Sequence, residues 1–287
     1  MNMTRLKIAI QNKGRLHEDS MSLIKEAGIK FSLKGRELLA PAKNFPIEVL
    51  FLRDDDIPQT VADGVADIGI VGENELLEKK QKVVIVKRLG FSKCRLSLAI
   101  PKSDEYDGLS YFNGKKIATS YPIILKDFLV KHNLNAEIHV ITGSVEIAPG
   151  IGLADAIFDI VSSGSTLISN WLKEVEVVMP SEAVLIAYPD LCDTKKALME
   201  ELIFRMESVQ RAEGKKYILL NTPNDKIDEI ATILPGMESP TVTPLLKTGW
   251  SSIHSVIAEN EFWEIIGRLK QAGAQGILVI PIEKMIF

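Results

Sequence analysis

From residue 6 onward, short apolar runs take turns with stretches of helical periodicity. Leu6–Ile10 reads as a buried strand, Asp19–Ala27 as a helix stopped by Gly28, and Glu48–Leu52 as a second strand. Asp54–Asp56 lead into Ile57 and Pro58, a helix-start signal, and that helix runs to about Gly64. Ile68–Val71 is the next strand. Such alternation predicts an α/β fold with a parallel sheet. A second α/β unit begins near Phe91, with strands at Arg95–Ile100, Lys115–Thr119, Glu137–Val140 and Ala156–Val161 and a helix at Tyr121–His132. Val175–Met179 and Ala183–Ala187 are extended, and Asp193–Ala212 is a long amphipathic helix.

The last segment changes rhythm. Tyr217–Asn221, Thr241–Thr243, Ser252–Ala258 and Gly276–Ile280 read as strands. Lys226–Leu234, closed by Pro235-Gly236, and Glu261–Ala272 read as helices, which gives the order β-α-β-β-α-β. Trp250 and Trp263 are expected in the core of this domain.

Composition narrows the class. A chain of 287 residues suits two or three domains. Its net charge of -4 argues against a protein that holds nucleic acid through a basic surface. Cys94 and Cys192 are the only cysteines, too few for a disulfide framework or a Cys-based zinc site. The four histidines, His17, His132, His139 and His254, have no ligand spacing. The N-terminal segment lacks an apolar signal region, and no apolar run reaches the roughly 18 residues that span a bilayer. The expectation is a cytoplasmic protein without membrane association.

Four segments could carry chemistry. Asp155-Ala-Ile-Phe-Asp159-Ile-Val is followed by Ser162-Ser163-Gly164-Ser165-Thr166, a strand that delivers carboxylates and then a hydroxyl-rich, glycine-containing loop at a helix start. Backbone N–H groups and hydroxyls so arranged cradle a phosphate, while Asp155 and Asp159 suit sugar hydroxyls or a bridging metal ion. The same serines would also serve as an ordinary helix cap. Lys13, Gly14 and Arg15 follow the first strand, where an open α/β sheet binds ligands, and suit a polyphosphate; a solvated basic loop is the plainer alternative. Arg53 and the three carboxylates of Asp54–Asp56 stand at another strand end, and capping accounts for one of those acids but not for three. Gly72, Glu73 and Asn74 close a fourth strand with a glycine-opened edge. No Ser-His-Asp, HExxH or Walker pattern is present.

Taken in order, these segments resemble the long form of the ATP phosphoribosyltransferase family, the first enzyme of histidine biosynthesis. Glu146, Gly152, Ala154, Ile157, Asp159, Ser163-Gly164, Thr166 and Leu167 fall at the spacing of that family's phosphoribosyl-pyrophosphate signature. Lys13–Leu16 (KGRL), Arg53–Pro58 (RDDDIP), Val71–Asn74 (VGEN) and Thr119–Pro122 (TSYP) also resemble family segments, as do Pro235–Val242 and Ile277–Met285 at the end of the chain. One departure stands out: the family commonly has Gly where Trp171 follows Asn170, and the expectation is that Trp repacks the back of the loop.

The resemblance implies a two-domain, periplasmic-binding-protein-like catalytic unit plus a C-terminal ferredoxin-like (βαββαβ) regulatory domain. It implies boundaries at 1–90 with about 181–212 for the first catalytic domain, 91–180 for the second and 215–287 for the third. It implies transfer of phosphoribosyl to an adenine ring nitrogen of ATP with release of pyrophosphate, assisted by Mg2+. Ser162, Ser163, Gly164, Ser165 and Thr166 would hold the ribose phosphate, and Asp155 and Asp159 the ribose hydroxyls. Lys13, Gly14 and Arg15 would reach the nucleotide or pyrophosphate, Arg53 would lie beside the nucleotide, and Gly72, Glu73 and Asn74 would line the cleft. L-histidine would bind the last domain, with Asn221, Thr241 and Gly276 as candidates, and shift a homo-oligomer from dimer to hexamer. Two other classes fit the same scaffold: a non-catalytic small-molecule sensor or regulatory subunit, which would lose the loop hydroxyls or the KGRL loop, and a phosphoribosyltransferase for another base.

Overall fold

The computed structural model describes residues 4–32, 38–234, 236 and 239–287; Pro235, Met237 and Glu238 of the Pro235–Val242 segment lie outside them. The chain divides into two compact units, residues 1–22 with 29–200 and residues 23–28 with 201–287.

The larger unit opens with β1 (Leu6–Gln11), α1 (Arg15–Glu26), β2 (Leu39–Pro41), β3 (Ile47–Leu52), α2 (Ile57–Ala62), β4 (Ile68–Gly72), α3 (Glu73–Lys79) and β5 (Val84–Arg88). It then builds a second lobe from β6 (Cys94–Pro101), β7 (Lys116–Thr119), α4 (Pro122–Lys131), β8 (Glu137–Val140), β9 (Ala156–Val161), α5 (Ser165–Ser169) and β10 (Leu172–Ser181). The chain returns to the first lobe through β11 (Ala183–Ala187) and continues into α6 (Asp193–Ala212).

Each lobe has one sheet, ordered β2-β3-β1-β4-β11-β5 in the first and β10-β6-β9-β7-β8 in the second. Parallel pairing joins β1 to β3 and β4 in the first sheet, and β7 to β8 and β9 in the second. Ile8, Ala9 and Ile10 are all fully buried, as expected of a strand covered on both faces. The other neighbours, β2-β3, β4-β11 and β11-β5 in the first sheet and β10-β6 and β6-β9 in the second, pair antiparallel, so both sheets are mixed around a parallel set. β5 leaves for the second lobe and β11 comes back, so they pair antiparallel. β6 and β10, the outgoing and returning strands of the second lobe, pair antiparallel for the same reason. This double crossing between two α/β lobes is the periplasmic-binding-protein-like arrangement. β5 and α3 were not anticipated, although the apolar run 83–86 carries the signal for the strand.

The smaller unit contains β12 (Lys215–Pro223), α7 (Ile227–Ile233), β13 (Thr241–Pro244), β14 (Trp250–Ala258), α8 (Glu259–Gln271) and β15 (Gln275–Pro281). Their sheet, β13-β14-β12-β15, is ferredoxin-like. Ile218, Leu220, Ile253 and Ile257 pack with Ile230, Ile265 and Leu269 of the helices. Trp263 corrects the expectation of a core residue: it is 73% exposed. It lies two residues from Ile265, about 200° around a 3.6-residue helix, so it points away from the buried stripe.

Candidate active site

The parallel strands of the first lobe bring three sequence motifs to one edge. β1 ends at Gln11, and Asn12 N–H donates to the Leu52 carbonyl at 2.8 Å, so the KGRL loop starts beside the end of β3. His17 Nδ1 bonds the Gln11 carbonyl at 2.7 Å and ties the loop to the first turn of α1, a structural role. Lys13, Gly14 and Arg53 are exposed at this edge. Arg15, the first residue of α1, extends to the second lobe: Nη1 donates to Ser162 Oγ at 3.2 Å and Nη2 to the Lys93 carbonyl at 3.3 Å.

Ser162 opens the loop that follows β9. Gly164 has φ +79, the left-handed conformation that glycine adopts without strain. Ser163 Oγ and Ser165 Oγ lie 2.9 Å apart, and Ser165 N–H donates to Ser163 Oγ at 3.4 Å. Ser162, Ser163, Ser165 and Thr166 are all exposed, their hydroxyls open to a ligand. α5 has only five residues, so its dipole adds little and the loop N–H groups and hydroxyls carry the cradle. Behind the loop, Arg95 grips Glu174 through Nε and Nη2 while Nη1 donates to the Ser162 carbonyl at 3.1 Å. This bond holds the Glu174 carboxyl below the usual carboxylate range.

Between the lobes lies a cleft of about 190 Å³, lined by Gln11, Arg15, Asp54, Gly72, Glu75 and Ser162 among others. Acidic groups gather there. Burial pushes the Asp159 carboxyl up to about 6, with the Glu146 charge adding to the effect. Burial also raises Glu75, partly offset by its hydrogen bond from the Tyr121 hydroxyl. Tyr121 is itself raised, by burial first and then by the charges of Glu75, Asp159 and Asp54. Glu75 and Tyr121 are the site residues that motif reasoning missed. Tyr121 stands in TSYP and Glu75 directly after VGEN, but only tertiary packing joins them.

The predicted residues divide. Arg15, Gly72, Asn74 and Ser162 line the cleft. Asn74 is buried and faces inward: Ser181 Oγ donates to its Oδ1 at 2.8 Å, and its Nδ2 donates to Tyr121 Oη at 3.3 Å. A Cβ on Gly72 would lie 2.5 Å from Asn74 Oδ1, so glycine is what lets this side chain turn in. Glu73, expected to line the cleft, instead pairs with Arg88, which also reaches Glu182 at 3.4 Å. Consecutive helical residues point about 100° apart; Asn74 and Glu75 fall on the cleft side of α3 and Glu73 outside it. Asp155, expected at the ribose, precedes β9 at the end opposite the loop, and its carboxylate accepts the Lys116 N–H at 2.7 Å. Six residues of strand, about 20 Å, separate it from the loop. Trp171 does not repack the loop: it is 77% exposed, with Lys102 Nζ 5.7 Å from its ring.

In the smaller unit, Asn221 and Gly276 are neighbours, with Asn221 Nδ2 3.3 Å from where a side chain at 276 would begin. Thr241 pairs with His254 on the far side of β14, two strands from β12, and does not join them.

Comparison with known proteins places the chain in a family. The family model described as ATP phosphoribosyltransferase matches residues 53–208, and the HisG C-terminal domain model matches residues 212–284. The ATP phosphoribosyltransferase of Bacteroides thetaiotaomicron is 68% identical over 281 residues, covering 98% of this chain and 99% of the relative. That of Parabacteroides distasonis is 66% identical over the same length and shares of the two chains. The ATP phosphoribosyl transferase (HisG:HisZ) complex from Thermotoga maritima contains a chain of similar fold, with TM-score 0.61 and 31% identity over 70% of this chain and 98% of that one. The chain therefore belongs to the ATP phosphoribosyltransferase family, in its long form with the additional C-terminal domain.

Proposed function

We propose that this protein transfers the phosphoribosyl group of phosphoribosyl pyrophosphate to an adenine ring nitrogen of ATP, releasing pyrophosphate, as the committed step of L-histidine biosynthesis. The observation that carries the reading is the meeting of Arg15 with Ser162 in one cleft, a cation from the first lobe against the phosphate-type loop of the second. Ser163, Ser165, Thr166 and the N–H groups around Gly164 hold the ribose phosphate, and Asp159 stands on the strand below them. The ring nitrogen attacks the anomeric carbon as its bond to pyrophosphate breaks, and the electron pair leaves with the pyrophosphate. Charge grows on that leaving group and oxocarbenium character on the sugar, so fixed cations at the leaving oxygens lower the barrier. Arg15, with Lys13 beside it, supplies them. No covalent nucleophile is needed.

Among the described residues no three His, Cys, Asp or Glu side chains group to hold a metal ion. Asp54 and Glu75, the carboxylates that line the cleft, are the residues that would hold Mg2+ there. When bound it neutralises pyrophosphate charge. We further propose a cytoplasmic homo-oligomer, dimer and hexamer, with L-histidine as an inhibitor bound at the C-terminal domain near Asn221 and Gly276. Among the described residues no helix is long and apolar enough to cross a membrane.

The test is purified protein with ATP, phosphoribosyl pyrophosphate, Mg2+ and pyrophosphatase, followed by ultraviolet absorbance of the modified nucleotide, with and without histidine. Product formation supports the transferase, and its decrease with histidine supports the feedback site. Absence of product under these conditions overturns the transferase reading.

A further inference from the structure

Glu78 sits in α3 of the first lobe and is only 6% exposed. Its carboxylate crosses to the second lobe. It accepts the N–H of Ile123 at 2.9 and 3.1 Å, one distance to each oxygen, and the N–H of Ile124 at 3.0 Å. These are the second and third residues of α4. Pro122 leads the helix and has no N–H, and Leu125 N–H already bonds the Tyr121 carbonyl at 3.1 Å. Glu78 thus supplies acceptors to the two first-turn donors that α4 cannot satisfy itself, and its charge suits the positive end of the ten-residue helix.

α3 sends two more polar groups to the same place. Asn74, one turn before Glu78, donates through Nδ2 to Tyr121 Oη at 3.3 Å and to Glu75 Oε1 at 3.5 Å, which sets the tyrosine beside that carboxylate. Tyr121 immediately precedes Pro122 as the N-cap of α4. One short helix therefore holds both the backbone start of α4 and, through Asn74, the tyrosine beside a cleft carboxylate. The neighbouring Lys80–Asp127 pair, 56% and 63% exposed, is solvated and ties the lobes only weakly.

We propose that Glu78 is a positioning residue for the transfer reaction: by capping α4 from the opposite lobe, it fixes Tyr121 against Asn74 and Glu75 and so sets the cleft wall that carries Glu75. This rests on the transferase reading.

The test compares Glu78→Ala and Glu78→Gln, alone and combined with Tyr121→Phe. One readout is the NMR resonance of Cζ-labelled tyrosine; the chain has 5 tyrosines, and Tyr121→Phe assigns the relevant one. Glu78→Ala shifts the Tyr121 resonance and leaves those of Tyr106, Tyr111, Tyr188 and Tyr217 in place. It lowers kcat about tenfold with little change in either KM, while Glu78→Gln, which keeps one acceptor, loses less. In the Tyr121→Phe background the same substitution costs no further kcat, because the two residues act as a unit. The proposal is overturned if Glu78→Ala leaves the Tyr121 resonance and kcat unchanged, or if the two losses simply multiply. Should Glu78→Ala not fold, the nearly isosteric Glu78→Gln decides on the same readouts. The resonance needs no turnover, so wild-type protein without transferase activity would sink the functional reading and leave the Glu78–Tyr121 coupling to be decided by NMR.

Discussion

Arg15 and Ser162, 147 positions apart in sequence, are joined by one hydrogen bond from Nη1 to Oγ at 3.2 Å. The bond links the basic loop after β1 to the hydroxyl loop after β9. Both groups are exposed, so the link stabilises the fold little, by less than about 1 kcal/mol. In the proposed mechanism its value is in placing a cation where pyrophosphate departs. Arg15→Ala is expected to lower kcat/KM about 100-fold, roughly 2.7 kcal/mol of transition-state stabilisation, while Tm moves by no more than about 2 °C. Arg15→Lys recovers only part of the rate, because a point charge does not reproduce the guanidinium fork. Steady-state kinetics beside a thermal melt check this; equal losses of activity and stability would contradict it.

Asp159 makes stability depend on pH. Its folded pKa, about 6, lies above the ordinary 3.8. As pH rises between these values, the unfolded chain releases a proton that the folded chain keeps, so stability falls, and the cost is complete above pH 6. Asp159→Asn should therefore be more stable at pH 7.5 by about 1–2 kcal/mol, the two-unit gap reduced by solvent in the open cleft. The difference should vanish below about pH 4. Denaturant titrations at several pH values measure it, and a gap independent of pH would refute the assignment.

Glu174 behaves in the opposite sense. Its pKa is depressed by the bond to Arg95. It stabilises the fold above its unfolded pKa, and that contribution is lost as pH falls through the folded value. Glu174→Gln should flatten the acid limb of the stability curve by about 1 kcal/mol below pH 4.5. It should also raise KM for phosphoribosyl pyrophosphate more than KM for ATP, since Arg95 then loses the anchor from which it holds the Ser162 carbonyl.

Gly72→Ala places a methyl group 2.5 Å from Asn74 Oδ1. Asn74 must rotate away from Ser181 and Tyr121, leaving buried polar groups unpaired. A loss of about 1–3 kcal/mol is expected, together with reduced activity. Combining it with Asn74→Ala, which removes the clash, should give much less than the sum of the two losses.

Trp171 adopts φ +58 just past α5. A non-glycine residue there costs about 1–2 kcal/mol, of which glycine returns part to the unfolded chain as entropy. Because the indole is exposed, Trp171→Gly should raise Tm by about 1–3 °C, readable by calorimetry. A fall in Tm would mean that the Lys102–Trp171 contact outweighs the strain.

Much of the fold was legible in the chain. Mainly apolar runs such as Leu6–Ile10 and Ala156–Val161 became strands within a residue of the expected ends, because strands covered on both faces are predominantly apolar, with Lys7 and Asp159 as the polar exceptions. The site was legible where a motif is one contiguous loop, as in Ser162–Thr166. It failed where orientation mattered. Asp155 and Asp159 are four residues apart, yet one precedes β9 at its far end and the other stands half-buried within the strand toward the loop. Glu73 and Asn74 are adjacent, and the helix sends them to different partners.

Local pattern alone thus determined the α/β lobes, the βαββαβ domain, the phosphate-type loop and the basic loop, since period, caps and glycine positions are short-range properties of the chain. Tertiary structure decided which side chains share the cleft. Glu78 finds α4, Tyr121 finds Glu75 and Arg15 finds Ser162 only after the chain has crossed between the lobes and come back. These contacts depend on the relative placement of two sheets, and burial is what then moves Asp159 and Glu75 away from ordinary carboxylate behaviour.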